Sequence, residues 1–136
     1  MNVNFKVTFA ANISKMKSER QIIFHGQHFT DFYVKQNVKV REKIGFVFQI
    51  IKTVEKIPEK FLKHLEGTDG LYEIRVELGN DIFRIFCCFD KGNLVILFNA
   101  FQKKSQKTPK MEIETAEKLR KEYFTAKNII FKSKNK

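Results

Sequence analysis

At 136 residues, with 43% apolar content and 15 Phe, the chain is the size of one domain and has material for a real core. A formal charge of +11 and a pI near 9.7 favour a polyanionic partner, whether nucleic acid, an acidic membrane surface or an acidic protein segment. The two cysteines, Cys87 and Cys88, are adjacent and so point to opposite faces of a strand, which argues against a structural disulfide or a metal framework. No segment approaches the length of a membrane span and the start lacks a secretory pattern, so the reading is a cytoplasmic protein that does not enter a membrane.

Residues 1–18 stand apart from the rest. Val3, Phe5, Val7 and Phe9 alternate like a strand, but the polar stretch from Asn12 to Glu19 separates them from the remainder of the chain. Both an added edge strand and a start at Met16 remain open. Arg20 to Phe24 reads as a strand, and Phe29, Phe32 and Tyr33 at helical spacing predict a short helix. A longer helix begins near Val38, with Val40, Ile44, Val47, Phe48, Ile51 and Val54 on one face, and Pro58 ends it or opens a short turn to Leu65.

From Leu71 the chain alternates apolar residues, interrupted at residues 78–81 and 90–93, which predicts three strands joined by two tight hairpins. With Gly79 and Asn80 as a two-residue loop, Val76 pairs with Phe83 and Arg75 stands across from Arg84. The same rule pairs Phe89 with Leu94, Phe86 with Leu97 and Arg84 with Asn99. One face then holds Tyr72, Ile74, Val76, Phe83, Ile85, Cys87, Phe89, Leu94, Ile96, Phe98 and Ala100, and should be core. The other holds Glu73, Arg75, Glu77, Ile82, Arg84, Phe86, Cys88, Val95, Leu97, Asn99 and Phe101, and should carry the chemistry.

Thr108 and Pro109 are placed to open a last helix of roughly four turns, with Ile113, Ala116, Leu119 and Tyr123 as its apolar stripe. Residues 128–136 form a basic tail that is expected to be loose or to order on a partner. From Lys103 onward eleven Lys or Arg face four Glu. The sum is a single α+β domain over residues 19–127. Its small antiparallel sheet, three meander strands plus an N-terminal strand, packs on N-terminal helices and is followed by a C-terminal helix.

Two arginines opposed on neighbouring strands repel, which points to an anion between them. The competing reading is an ordinary ion network in which Glu73 and Glu77 neutralise both. Lys63-His-Leu-Glu-Gly67, Gly70-Leu-Tyr-Glu-Ile-Arg75, Arg84-Ile-Phe86 and the run from Phe101 through Lys103, Lys104 and Lys107 to Pro109 together resemble the phage Gp49-like branch of HigB toxins, in the RelE/ParE superfamily. The likeness runs from about Arg20 to Phe124.

That resemblance implies a ribosome-dependent messenger-RNA endonuclease that works without a metal or other cofactor. The ribose 2′-hydroxyl attacks its own 3′ phosphate, which needs a proton acceptor, a proton donor and positive charge around the phosphorane. Arg75, Arg84, Lys103 and Lys104 are the candidate charges and Glu73 the candidate base. Lys63, His64, Phe86, Asn99, Phe101 and Lys107 are candidates for holding RNA, the two rings by stacking a base, with the competing reading that another element or the antitoxin covers both rings. His25 and His28 lie away from this group. The implied partners are the ribosome with its message and an antitoxin with a helix-turn-helix domain, forming a hetero-oligomer. Two alternatives stay open: inhibition of DNA gyrase in the manner of ParE, and a nucleic-acid-binding module that acts through electrostatics alone.

Overall fold

The computed structural model describes residues 19–134, so the strand or alternative start expected within residues 1–18 lies outside the described residues. In chain order the elements are β1 (Gln21–Phe24), α1 (His28–Val34), α2 (Val38–Thr53), β2 (Leu62–His64), β3 (Tyr72–Leu78), β4 (Asp81–Asp90), β5 (Leu94–Lys103) and α3 (Lys110–Lys134). The five strands form one sheet in the order β1-β5-β4-β3-β2, with β1 parallel to β5 and every other pair antiparallel. This is the α+β class expected.

The periodic apolar residues of α2 become its buried stripe of Val40, Ile44, Val47 and Ile51, and Asn37 caps its start by accepting a hydrogen bond from the Val40 N–H at 2.9 Å. The β3–β4 hairpin has the predicted register, with Arg75 opposite Arg84 and Leu78 opposite Asp81. Gly79 adopts φ +59° at the first turn position, where a type II′ hairpin requires that conformation.

The second hairpin differs. Its loop is three residues, with Gly92 and Asn93 both at positive φ, so Asp90 pairs with Leu94 and Cys87 with Leu97. That one-residue slip reverses the expected faces of early β5. Val95 and Leu97 pack toward α1 and α2, whereas Leu94, Ile96 and Phe98 face α3. A bulge then sets Phe98 and Asn99 against Phe86, after which Ile85 pairs with Ala100 and Arg84 with Phe101 rather than Asn99.

Both faces of the sheet are therefore buried. Ile74, Val76, Phe83, Ile85 and Cys87 meet α1 and α2, while Phe86, Cys88, Ile96, Phe98 and Phe101 meet Leu119 and Ala116 of α3. The cysteines are free and on opposite sides, as expected from adjacency. Burial pushes both thiols up, that of Cys88 to about 11.

The C-terminal helix is also longer than its stripe implied. Its first hydrogen bonds fall on the Pro109 carbonyl, one residue past the expected Thr108 cap, and it continues to Lys134 through the segment expected to be a loose tail. That segment contains no Gly or Pro, and Lys132 and Lys134 sit favourably at the negative end of the helix dipole. A polar clamp ties the helix to the β4–β5 loop. Tyr123 Oη donates to Asp90 Oδ2 at 2.6 Å, and Lys127 Nζ donates to both Asp90 oxygens at 2.8 and 2.7 Å. No helix among the described residues is long and apolar enough to cross a membrane.

Burial alone would raise the Asp90 carboxyl, but the hydrogen bonds from Lys127, Tyr123 and the Lys91 N–H outweigh it and bring it from an ordinary 3.8 to about 2. A depressed folded-state pKa stabilises above the unfolded value and loses that effect as pH falls through the folded one. Asp90→Asn is thus expected to cost roughly 1–2 kcal/mol at neutral pH, discounted for the exposure of Lys127. In denaturant titrations the gap to the parent protein should close between about pH 4 and pH 2.

Candidate functional site

The β3–β4 register brings the two arginines and both acidic residues onto one face. β2 adds Lys63, paired with Glu73, to the same face, and β5 adds Lys103, paired with Ile82 beyond Phe101. The short β2 was not evident in the sequence, where Lys63 and His64 looked like residues ahead of the sheet. Because neighbouring strand residues alternate, His64 points the other way, its ring 5.2 Å from Tyr72 and away from the arginines.

At the centre Glu73 lies 3.6 Å from Arg75 Nε and 3.8 Å from Arg84 Nε, and Glu77 lies 4.0 Å from Arg84 Nη2. The neutralising network, the competing reading of the opposed arginines, therefore exists. It is loosely joined: Glu73 Oε2, Arg75 Nε and Arg84 Nε are buried without a hydrogen-bond partner. The Arg84 side chain is only 3% exposed and donates through Nη1 to the Phe83 carbonyl, whereas Arg75 is 26% exposed. Burial, then the neighbouring Arg75, pull the Arg84 pKa down, and Glu73 and Glu77 oppose that shift. Arg84 is the sunk, fixed charge. Arg75 is the charge that meets solvent.

The helix α3 removes three of the expected RNA contacts. Phe86 is fully buried and Phe101 nearly so, their rings 5.5 Å apart beneath that helix, which leaves no face for a base. Asn99 is buried as well, and its amide donates to the Glu112 carbonyl at 2.9 Å and to Glu112 Oε2 at 2.8 Å. Its work is to fix the first turn of α3. What stays open is the end of this face nearest the β3–β4 turn, where Arg75, Ile82 and Lys103 are partly exposed and Glu77 is exposed. Lys104 and Lys107 flank it on the exposed loop before α3.

The sequence matches the family described as "Phage derived protein Gp49-like (DUF891)" over residues 31–121. That span covers well over half the chain, and the chain belongs to this family. Membership is compatible with a toxin–antitoxin module. A search of curated proteins gave no match.

Removing a buried partner leaves an uncompensated charge, which costs far more than losing an exposed one. Glu73→Ala should lower stability by about 3 kcal/mol, and Arg75→Ala by less than about 1 kcal/mol. Chemical denaturation of the two variants checks the order; equal losses would mean that the network is not built around Glu73.

Proposed function

We propose that this chain is the toxin of a toxin–antitoxin pair and an endonuclease that cuts messenger RNA on the ribosome. The observation that carries the reading is the Arg75–Glu73–Arg84 cluster, with unpartnered polar atoms, whose Arg75 meets solvent at the end of the sheet face that α3 leaves open and whose Glu73 and Arg84 lie buried behind it. The Gp49-like family and the surrounding lysines support it.

In this mechanism Arg75 meets the scissile phosphate first, its planar fork matched to two phosphate oxygens, while Arg84 supplies fixed positive charge from beneath. Glu73, the expected base, has its Oε2 buried between the arginines, so the proton of the ribose 2′-hydroxyl passes instead to Glu77, the exposed carboxylate on the same face. The 2′ oxygen then bonds to phosphorus, the bond to the 5′ oxygen breaks, and Lys103 or Lys104 protonates that leaving oxygen. The products are a 2′,3′-cyclic phosphate and a free 5′-hydroxyl. The antitoxin, in this reading, carries a helix-turn-helix domain and silences the toxin by covering the same open end.

The near-complete burial of Arg84 favours a second reading, in which the arginines are structural and toxicity comes from binding DNA gyrase. The two part on one experiment. Translated message incubated with ribosomes and the purified protein should acquire new 5′ ends, and Arg75→Ala should slow their appearance about a hundredfold with little change in melting temperature. Intact message alongside growth arrest and supercoiling defects would favour gyrase.

A further inference from the structure

The strand β2 ends the sheet but pairs only with Tyr72–Ile74 of β3. The Arg75 N–H still reaches the Phe61 carbonyl at 2.8 Å; beyond it the edge of β3 runs on past the end of β2. In a strand alternate amides point the same way, so the Glu77 N–H is directed outward along this open edge. A cleft of about 230 Å³ lies here, lined by Lys43, Lys60, Phe61, Arg75, Glu77 and Gly79.

The two lysines come from separate segments and are held by aromatic rings. Lys43 Nζ sits 4.9 Å from the centre of the Phe46 ring, Lys60 Nζ 5.6 Å from that of Phe61, and the two rings meet edge to face at 6.4 Å. Phe46 is 54% exposed and offers an apolar surface beside the basic cleft. Among the described residues Glu77 is the only carboxylate lining the cleft, and it is drawn toward Arg84. Ammonium groups that follow a phosphate backbone, next to an open aromatic face, are the elements with which proteins grip single-stranded nucleic acid.

We propose that this cleft is a subsite for single-stranded RNA next to the scissile phosphate, with Lys43 and Lys60 holding a flanking phosphate and Phe46 stacking a base. The proposal deepens the nuclease reading and rests on it, because Arg75 lines both the cleft and the ion cluster and so makes the two continuous. It supplies the stacking surface that Phe86 and Phe101, beneath α3, do not.

The test uses the full chain and a short oligo-uridine RNA made resistant to cleavage by 2′-O-methylation, with binding followed by fluorescence anisotropy over a range of salt. The Lys43→Ala/Lys60→Ala variant should bind about tenfold more weakly, with a salt slope shallower by about 0.7 for each lost phosphate contact. Phe46→Ala should lose about tenfold with its slope unchanged. Lys118→Ala/Lys121→Ala removes the same charge from the exposed side of α3 and serves as the control. Equal weakening in the control, or no weakening in the cleft variants, overturns the subsite. Binding as described in a protein that never cuts ribosome-bound message would uphold the subsite and reject the nuclease.

Discussion

Two guanidinium groups held opposite each other across β3 and β4 repel, and the hairpin that joins the strands gives neither a way to leave. Everything around them answers that constraint. Glu73 is drawn into the sheet face between them and Glu77 approaches from the far end. The distances, 3.6 to 4.0 Å, balance charge without satisfying the hydrogen-bonding groups. Buried ion groups that lack complete hydrogen bonding are poor sources of stability, since desolvation offsets most of the attraction. A cluster of this kind is better suited to meeting an anion than to holding a fold together.

The fold is held elsewhere. Apolar side chains bury both faces of the sheet, and α3 is fixed at two points along its length. Asn99, in the β5 bulge, holds its first turn through Glu112, and Asp90, at the β4–β5 loop, holds Tyr123 and Lys127. These polar ties define how much of the sheet the helix covers. They leave uncovered the end that carries Arg75 and Lys103, so the extent of the candidate site follows from the position of α3 as much as from the residues in it. The same helix converts Phe86 and Phe101 from surface rings into core.

Much of this was legible in the chain. The β3–β4 hairpin could be read because the glycine-asparagine loop permits one register, and the register alone put Arg75 against Arg84. The stripe of α2 was likewise plain from its spacing. The faces of early β5 were not, because a three-residue and a four-residue loop fit the same letters and differ by one residue in pairing. Nor was the bulge at Phe98 and Asn99, which leaves no mark in an alternating apolar run. The short β2 has too few residues to declare a period, and so the orientation of His64 could not be read from it. Lys43 and Lys60 did not stand out as a pair because α2 and the segment after Pro58 meet only in three dimensions, and surface lysines carry no signal of their own. An apolar stripe identifies the buried side of a helix but not what lies beneath it, which is why covering of Phe86 and Phe101 could be weighed from the sequence but α3 could not be named as the element that covers them.

The arginine cluster as the place where RNA phosphate binds can be tested without any cleavage at all. Arginine Nε–H signals are well separated in nitrogen-resolved NMR spectra, so titration with a cleavage-resistant single-stranded RNA reads Arg75 and Arg84 individually. The account predicts that both signals move together and saturate with the binding curve, Arg75 through direct contact and Arg84 through the changed field and hydrogen bonding beneath it. Saturation of binding with both signals unmoved, and shifts confined to the outer side of α3, would contradict it.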